Sequence, residues 1–331
     1  MGITDERLPF CRVNELETLV PEQEWLIRSV WAQSAVGIIG GAPKCCKSWL
    51  GLDMAVSVAS GTPCLGCFPV DQKGPVLVFL AEDAVCSVRG RIESLCKHRN
   101  LDIDKLELYV ITASTLRLDL SFDQQKLSAT LATVRPRLLI LDPLVRLHRL
   151  DENSAAEISK LLGFVRELQR TFDTSVVLVH HASKKQRAQP GQALRGSSDL
   201  HAFGDSNAYL SRRSEQIVLT LEHRSAKAPD PIEMELVSQK DGSATHLQIV
   251  SGSKGDPAAT ISDRILDLLK HSENPLTRTS IRNQLKVNNQ RLGQCLVDLD
   301  NQGSVIRTSK GYLSVSKQSN QMENSVELQI F

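Results

Sequence analysis

Residues 37–61 read GIIGGAPKCCKSWLGLDMAVSVASG, and this stretch decides the fold. It opens as an apolar run closing on two glycines. It then becomes an apolar and small-residue segment from Lys47 to Ser60, and Gly61 is the residue type that most often follows a helix. Between the two, Gly41 to Ser48 fits the phosphate-loop pattern G-x-x-x-x-G-K-[ST] at every fixed position but one, because Cys46 stands where the second glycine belongs. Gly40, Gly41 and Pro43 shape a turn whose backbone N–H groups point inward at the positive end of the following helix, where phosphate oxygens are received. The expected binding segment is Gly41, Ala42, Pro43, Lys44, Cys45, Cys46, Lys47, Ser48 and Trp49. Within it, Lys47 is expected to reach the β- and γ-phosphates of a nucleoside triphosphate and Ser48 to hold magnesium.

Glycine at the Cys46 position permits a close approach to phosphates and dihedrals that cost a side-chain-bearing residue about 1 kcal/mol. A cysteine fits if its φ is negative, although its sulfur still occupies space there. Weakened rather than abolished binding is the expectation. A thiol at a helix N-terminus beside Lys47 is also expected to have a lowered pKa and to be reactive.

Outward from this loop, short apolar runs alternate with amphipathic segments. "AVGIIGG", "GPVLVFLAED", "LELYVIT", "PRLLILDPL" and "TSVVLVHHA" are separated by helical patterns at 47–60, 85–100, 124–134 and 155–172. That alternation predicts an α/β domain with a mostly parallel sheet covered on both faces, its centre formed by strands near Val36, Val76, Leu138 and Val176. "SEQIVLTLEHRS" and "DPIEMELVSQKDGSATHLQIV" alternate apolar and polar residues and predict antiparallel strands with a turn at "KDG". After a linker at 251–260, residues 261–317 predict three amphipathic helices, the first capped by Ser262, and a hairpin turning at Lys310-Gly311, which together make a winged helix. The expected partition is a lead-in 1–24, an ATPase domain 25–250, the linker, the winged helix and a tail 318–331.

Several strand ends carry chemistry. "LLILD" closes on Asp142, a Walker B carboxylate for the water shell of magnesium. "VLVFLAED" closes on Glu82 and Asp83; Glu82 either orients the attacking water or caps the next helix. His180 and His181 end a further strand and either contact the γ-phosphate and relay it to the loop beyond, or are hydrogen-bonded edge histidines. Arg224 and Lys227 in "LTLEHRSAK" read as a finger completing a neighbouring subunit's site or as a solvated basic patch.

The chain has 331 residues and a formal net charge of +1, enough length for one large α/β domain and a small one. The charge neither demands nor excludes nucleic acid, because a basic channel can be offset by an acidic exterior. No run approaches the roughly 18–20 apolar residues of a membrane span, and the charged N-terminus is unlike a secretory signal, so a cytoplasmic protein without a membrane partner is expected. The eight cysteines then read as reduced thiols, and "CLGC" at Cys64 and Cys67 lacks the second ligand pair of a zinc site.

The order of "GGAPKCCKSWL", "VLVFLAEDA", "LLILDPL", "VVLVHHASK" and "LRGSSDLHAFGDSNAYLSR" resembles the RepA-like hexameric replicative helicases of plasmids and mobile elements, a branch of the RecA-like P-loop ATPases, across about residues 20–250. The resemblance implies a homo-hexameric ring with ATP at subunit interfaces and single-stranded DNA in its channel. It assigns Lys47 and Ser48 to phosphate and magnesium, Glu82 to catalysis and Asp142 to Walker B. His180 and His181 become the histidine motif, and Arg224 the trans-acting finger, with Lys227 in reserve. The segment carrying Lys184, Lys185, Arg187 and Arg195 would face DNA, tracking backbone phosphates without sequence preference, or else be a solvated loop. The winged helix, with Arg282, Lys286, Arg291, Arg307 and Lys310 but also Asp298 and Asp300, suits duplex DNA or a protein partner. A competing expectation is a regulatory or loader ATPase with slow or no turnover, favoured by Cys46 and the added winged helix.

Overall fold

The computed structural model describes residues 11–15, 25–152, 154–181, 198–213, 216–239, 244–250, 261–272, 274–285, 287 and 289–315. A short hairpin of β1 (Trp25–Ile27) and β2 (Trp31–Ala32) leads into β3 (Val36–Gly41) and α1 (Lys47–Ser60). Then follow β4 (Val76–Leu80), α2 (Val85–His98), β5 (Leu108–Val110), α3 (Ser121–Val134), β6 (Leu138–Asp142), α4 (Ala155–Phe172) and β7 (Ser175–His181). After α5 (Ser198–Phe203) come four strands, β8 (Ser206–Arg213), β9 (Gln216–His223), β10 (Ile232–Val237) and β11 (His246–Ile249).

These strands form one sheet in the order β11-β10-β9-β8-β3-β7-β6-β4-β5. From β8 to β5 all neighbours are parallel, whereas β9, β10 and β11 add on antiparallel. The strands carrying Val36, Val176, Leu138 and Val76 are adjacent at the centre, buried on both faces, which is why they read as continuous apolar runs. Alternation along each strand divides the core. Ile39, Val78, Ile140 and Val177 pack with α1 and α2, while Ile38, Leu77, Leu139 and Leu178 pack with α3 and α4.

Helix α1 lies almost wholly inside and closes on Gly61 at φ 81°, whose N–H donates to the Ser57 carbonyl at 2.7 Å. Behind it sits a buried ion pair, Arg99 Nη2 to Asp53 Oδ2 at 2.6 Å. Asp53 Oδ1 accepts the Leu65 N–H at 2.8 Å, and Arg99 Nη1 donates to Ser57 Oγ at 2.7 Å. The Cys64–Cys67 spacing thus belongs to a tight turn tied onto α1, and among the described residues no group of three or more His, Cys, Asp or Glu side chains is placed to hold a metal ion.

Two strands of the sheet depart from the sequence reading. Strand β8 sits beside β3 although "SNAYLSR" lacks an apolar run, because its polar residues are used: Asn207 Oδ1 accepts the Ile38 N–H at 3.0 Å. The β5 strand spans three residues only, at the sheet edge.

The tail has α6 (Ile261–His271), α7 (Arg278–Leu285), α8 (Asn289–Asn301) and a hairpin of β12 (Val305–Thr308) and β13 (Gly311–Ser314), around its own core of Ile265, Leu269, Ile281, Leu296 and Leu299. Ser262 is the second residue of α6 and not its cap, and the hairpin turns one position earlier, with Gly311 opening β13. The "KDG" turn, the linker and the final segment lie outside the described residues. Among the described residues, no helix is long and apolar enough to cross a membrane.

Candidate active site

Four parallel strands end at the same edge of the sheet: Gly41 pairs with His181, Leu80 with Asp142, and Leu141 with Leu178, so that β4 and β6 stop about two residues before β3 and β7. Their C-terminal ends enclose a cleft of about 330 Å³ lined by the loop from Lys44 to Trp49, Glu82, Asp83, Arg91, Asp142, Pro143 and His181. Open parallel sheets place ligands at this edge.

Gly41 carries the chain past β8 so closely that a Cβ there would overlap the Leu210 carbonyl and the Cys45 sulfur. Lys47 is 6% exposed, and its Nζ donates to the carbonyls of Gly41 at 2.9 Å and Ala42 at 2.8 Å, so the loop is closed on its own lysine. Burial lowers the Lys47 pKa, against the opposing pull of Cys45 and Asp142. Asp142 is 7% exposed and its carboxyl is pushed up to about 6, first by burial, then by the nearby charges of Asp83 and Glu82. A hydrogen bond from the Ser48 hydroxyl and the charge of Lys47 pull the other way.

Cys46 has φ 66° and ψ 27°, the left-handed conformation that a glycine adopts freely. The negative φ that would have accommodated the cysteine is not adopted, and the backbone carries a cost of about 1 kcal/mol. The expected reactive thiolate is also corrected: burial raises the Cys46 pKa, outweighing Arg212 and Lys47, and the same cause raises that of Cys45.

Glu82 does not cap α2, whose N-cap is Ala84 with no side-chain cap. Its carboxylate, 44% exposed, accepts from Arg146 Nε at 2.7 Å. Asp83 accepts both Nη groups of Arg91 at 2.8 Å, and that guanidinium lies over the Trp49 ring, 5.8 Å from its centroid. Arg91 and Arg146 escaped the sequence reading because their partners lie outside any linear pattern. Arg212, which donates to the Lys44 carbonyl at 3.5 Å, escaped it likewise.

The two histidines separate. His181 lines the cleft, and burial together with the Lys47 charge lowers its pKa. His180 is 1% exposed and points to the opposite face of the sheet, where Nδ1 lies 4.0 Å from Glu152 Oε1; the pairing of both at one phosphate is therefore corrected, as the pleat of β7 requires.

Arg224 lies at the far end of the sheet. It follows His223, which pairs with Ser206, and its N–H donates to the Asp205 carbonyl, while the Asp205 N–H donates to the carbonyl of Val36 at the start of β3. Six residues of β3 therefore separate it from the phosphate loop, roughly 16–20 Å. Its guanidinium pairs with Asp205 at 2.9 Å, and Asp205 also accepts from Arg166 at 2.5 Å. Lys227 is exposed just beyond. Lys184, Lys185, Arg187 and Arg195 lie outside the described residues.

A doubly covered parallel sheet with a phosphate loop after β3 and an acidic strand end two strands away defines a RecA-like P-loop ATPase fold. A family model described as an AAA domain, AAA_25, matches residues 4–187, and the chain belongs to that family. Among solved structures it is similar to the RadB recombinase, with a TM-score of 0.47 and 15% identity over 66% of this chain and 92% of that one. It is also similar to a DnaB-like replicative helicase whose structure describes its interactions with primase, with a TM-score of 0.49 and 13% identity over 65% of this chain and 57% of the helicase chain.

Proposed function

We propose that the chain binds ATP with magnesium in this cleft and hydrolyses it as one subunit of a homo-oligomer, a hexamer, that moves on single-stranded DNA in replication of a plasmid or mobile element. The observation that carries the reading is the convergence of Lys47, Ser48, Asp142, Glu82 and His181 from four strand ends on one cleft. Lys47 would exchange the two carbonyls it now holds for phosphate oxygens. Glu82 would orient the attacking water and accept its proton, and His181 would meet the γ-phosphate. A hydroxyl on a buried carboxylate, its charge opposed by burial and by two further carboxylates, is a set of hard oxygen donors that fits a divalent cation. Ser48 and Asp142 would hold magnesium, which when bound neutralises charge developing on the phosphoryl oxygens. The recess beyond Trp49 and Arg91 leaves room for the rest of the nucleotide.

Arg224, with Lys227 in reserve, is too far from its own phosphate loop and would serve a neighbour. The segment with Lys184, Lys185, Arg187 and Arg195 follows His181 and would contact DNA phosphates. We read residues 261–317 as a winged helix for duplex DNA or a protein partner.

The second reading, a regulatory or loader ATPase with slow turnover, is favoured by the left-handed Cys46. ATP hydrolysis measured with and without oligo-dT decides between them. DNA-stimulated turnover that falls roughly 10²–10³-fold in Lys47→Ala is the expected result. A native chain as inert as Lys47→Ala, yet rescued by Cys46→Gly, would sink the motor in favour of the regulator.

A further inference from the structure

Glu82 is held by a residue outside its own cleft. Arg146 lies in "DPLVRLHRL", the loop that follows β6, and its Nε donates to Glu82 Oε1 at 2.7 Å. Glu82 lines the cleft and Arg146 does not, so the pair ties a cleft carboxylate to a guanidinium outside the lining. The backbone of this loop is clamped: Arg117 Nη1 donates to the Arg146 carbonyl at 2.6 Å, and the Leu118 N–H to the Leu147 carbonyl at 2.6 Å. The Arg146 side chain, by contrast, is 61% exposed. A fixed backbone with a solvent-facing guanidinium can change partners without moving the strand that carries Asp142. While the pair stands, one of the two carboxylate oxygens is committed to the Arg146 guanidinium.

We propose, on the reading of Glu82 given above, that Arg146 is a positioning residue restraining Glu82 through this ion pair, and that backbone phosphates of single-stranded nucleic acid compete for its guanidinium and release the carboxylate to the attacking water. The planar guanidinium suits phosphate at least as well as carboxylate. An exposed pair shifts an equilibrium by no more than about fivefold, so the restraint is one that a phosphate backbone can overcome.

The experiment is steady-state ATP hydrolysis by the full chain and by Arg146→Ala, Arg146→Gln, Arg146→Lys and Lys47→Ala, with and without oligo-dT, alongside thermal melting of each. Without DNA, both Arg146→Ala and Arg146→Gln should raise kcat about three- to fivefold with the KM for ATP unchanged, and their stimulation by oligo-dT should shrink by the same factor. Arg146→Lys should keep most of the restraint. A DNA-free kcat that is unchanged or lower in the folded Ala and Gln variants overturns the proposal, as does a raised kcat with undiminished stimulation. A wild type without Lys47-dependent hydrolysis fails the functional reading and this proposal together, whereas Lys47-dependent hydrolysis with flat Arg146 variants fails this proposal alone.

Discussion

On one wall of the cleft, Lys47 and Asp142 are buried, shifted in pKa by that burial and fixed by strand ends and a helix start. On the other, Glu82 is held in an exposed ion pair by Arg146, which lies just outside the lining; the two sit on the segments that follow β4 and β6. The difference separates two tasks. Desolvated charges are costly to leave unmatched, so the buried wall is set to receive a charged ligand and holds its shape meanwhile. An exposed pair contributes little and is cheap to rearrange, which suits a group that acts only when called on.

The largest expected effect lies behind the buried wall. Arg99→Ala leaves Asp53 charged inside α1 with its ion-pair partner gone, and should destabilise the chain by about 3–5 kcal/mol. Arg146→Ala, on the exposed wall, should cost under about 1 kcal/mol. Urea unfolding of the two variants compares them directly, and similar losses would erase the distinction between the walls.

Asp142→Asn tests the buried wall itself. The free acid begins to ionise near pH 4 in the unfolded chain but only at about 6 when folded. Between those values the folded state keeps a proton that the unfolded state gives up, so this carboxyl lowers stability as pH rises from about 4 to 6, and the deficit persists above. Asparagine carries no such deficit. The variant should equal the wild type near pH 4 and exceed it by on the order of 1–3 kcal/mol at pH 8, while losing ATP hydrolysis. Magnesium should recover stability at pH 8 in the wild type and not in the variant. A pH-independent difference would mean that Asp142 is not held near neutrality by burial.

The buried wall was also the legible one. Apolar runs ending in glycine or acid mark strands buried on both faces, and the loop and Asp142 are local patterns within them. Strand β8 was hidden because Asn207 and Ser206 are satisfied by residues about 170 positions away. Arg91 and Arg146 were hidden because their bonds join different segments. The opposite facing of His180 and His181 was legible in principle, since adjacent residues of a strand cannot share a side. The glycine pattern likewise implied positive φ at Cys46, although only the backbone shows that the cysteine complies.

The smallest effect on stability, and the sharpest on the loop, should come from Cys46→Gly. Glycine relieves a left-handed residue of about 1 kcal/mol, but it gains freedom in the unfolded chain worth about 0.4–1 kcal/mol and forfeits the packing of Cys46 against the core around α1. These terms oppose one another, so the melting temperature should move by only a few degrees. Nucleotide affinity should respond more, because the Cβ and sulfur leave the cleft lining altogether. Cys46→Ala separates the causes: it removes the sulfur while keeping a Cβ at φ 66°. If sulfur bulk limits binding, the alanine and glycine variants should both bind a fluorescent ATP analogue more tightly than the native chain. If the Cβ at positive φ limits it, glycine alone should gain. Equal affinity in all three would remove Cys46 as a reason for slow turnover and leave restraint on the exposed wall as the remaining limit.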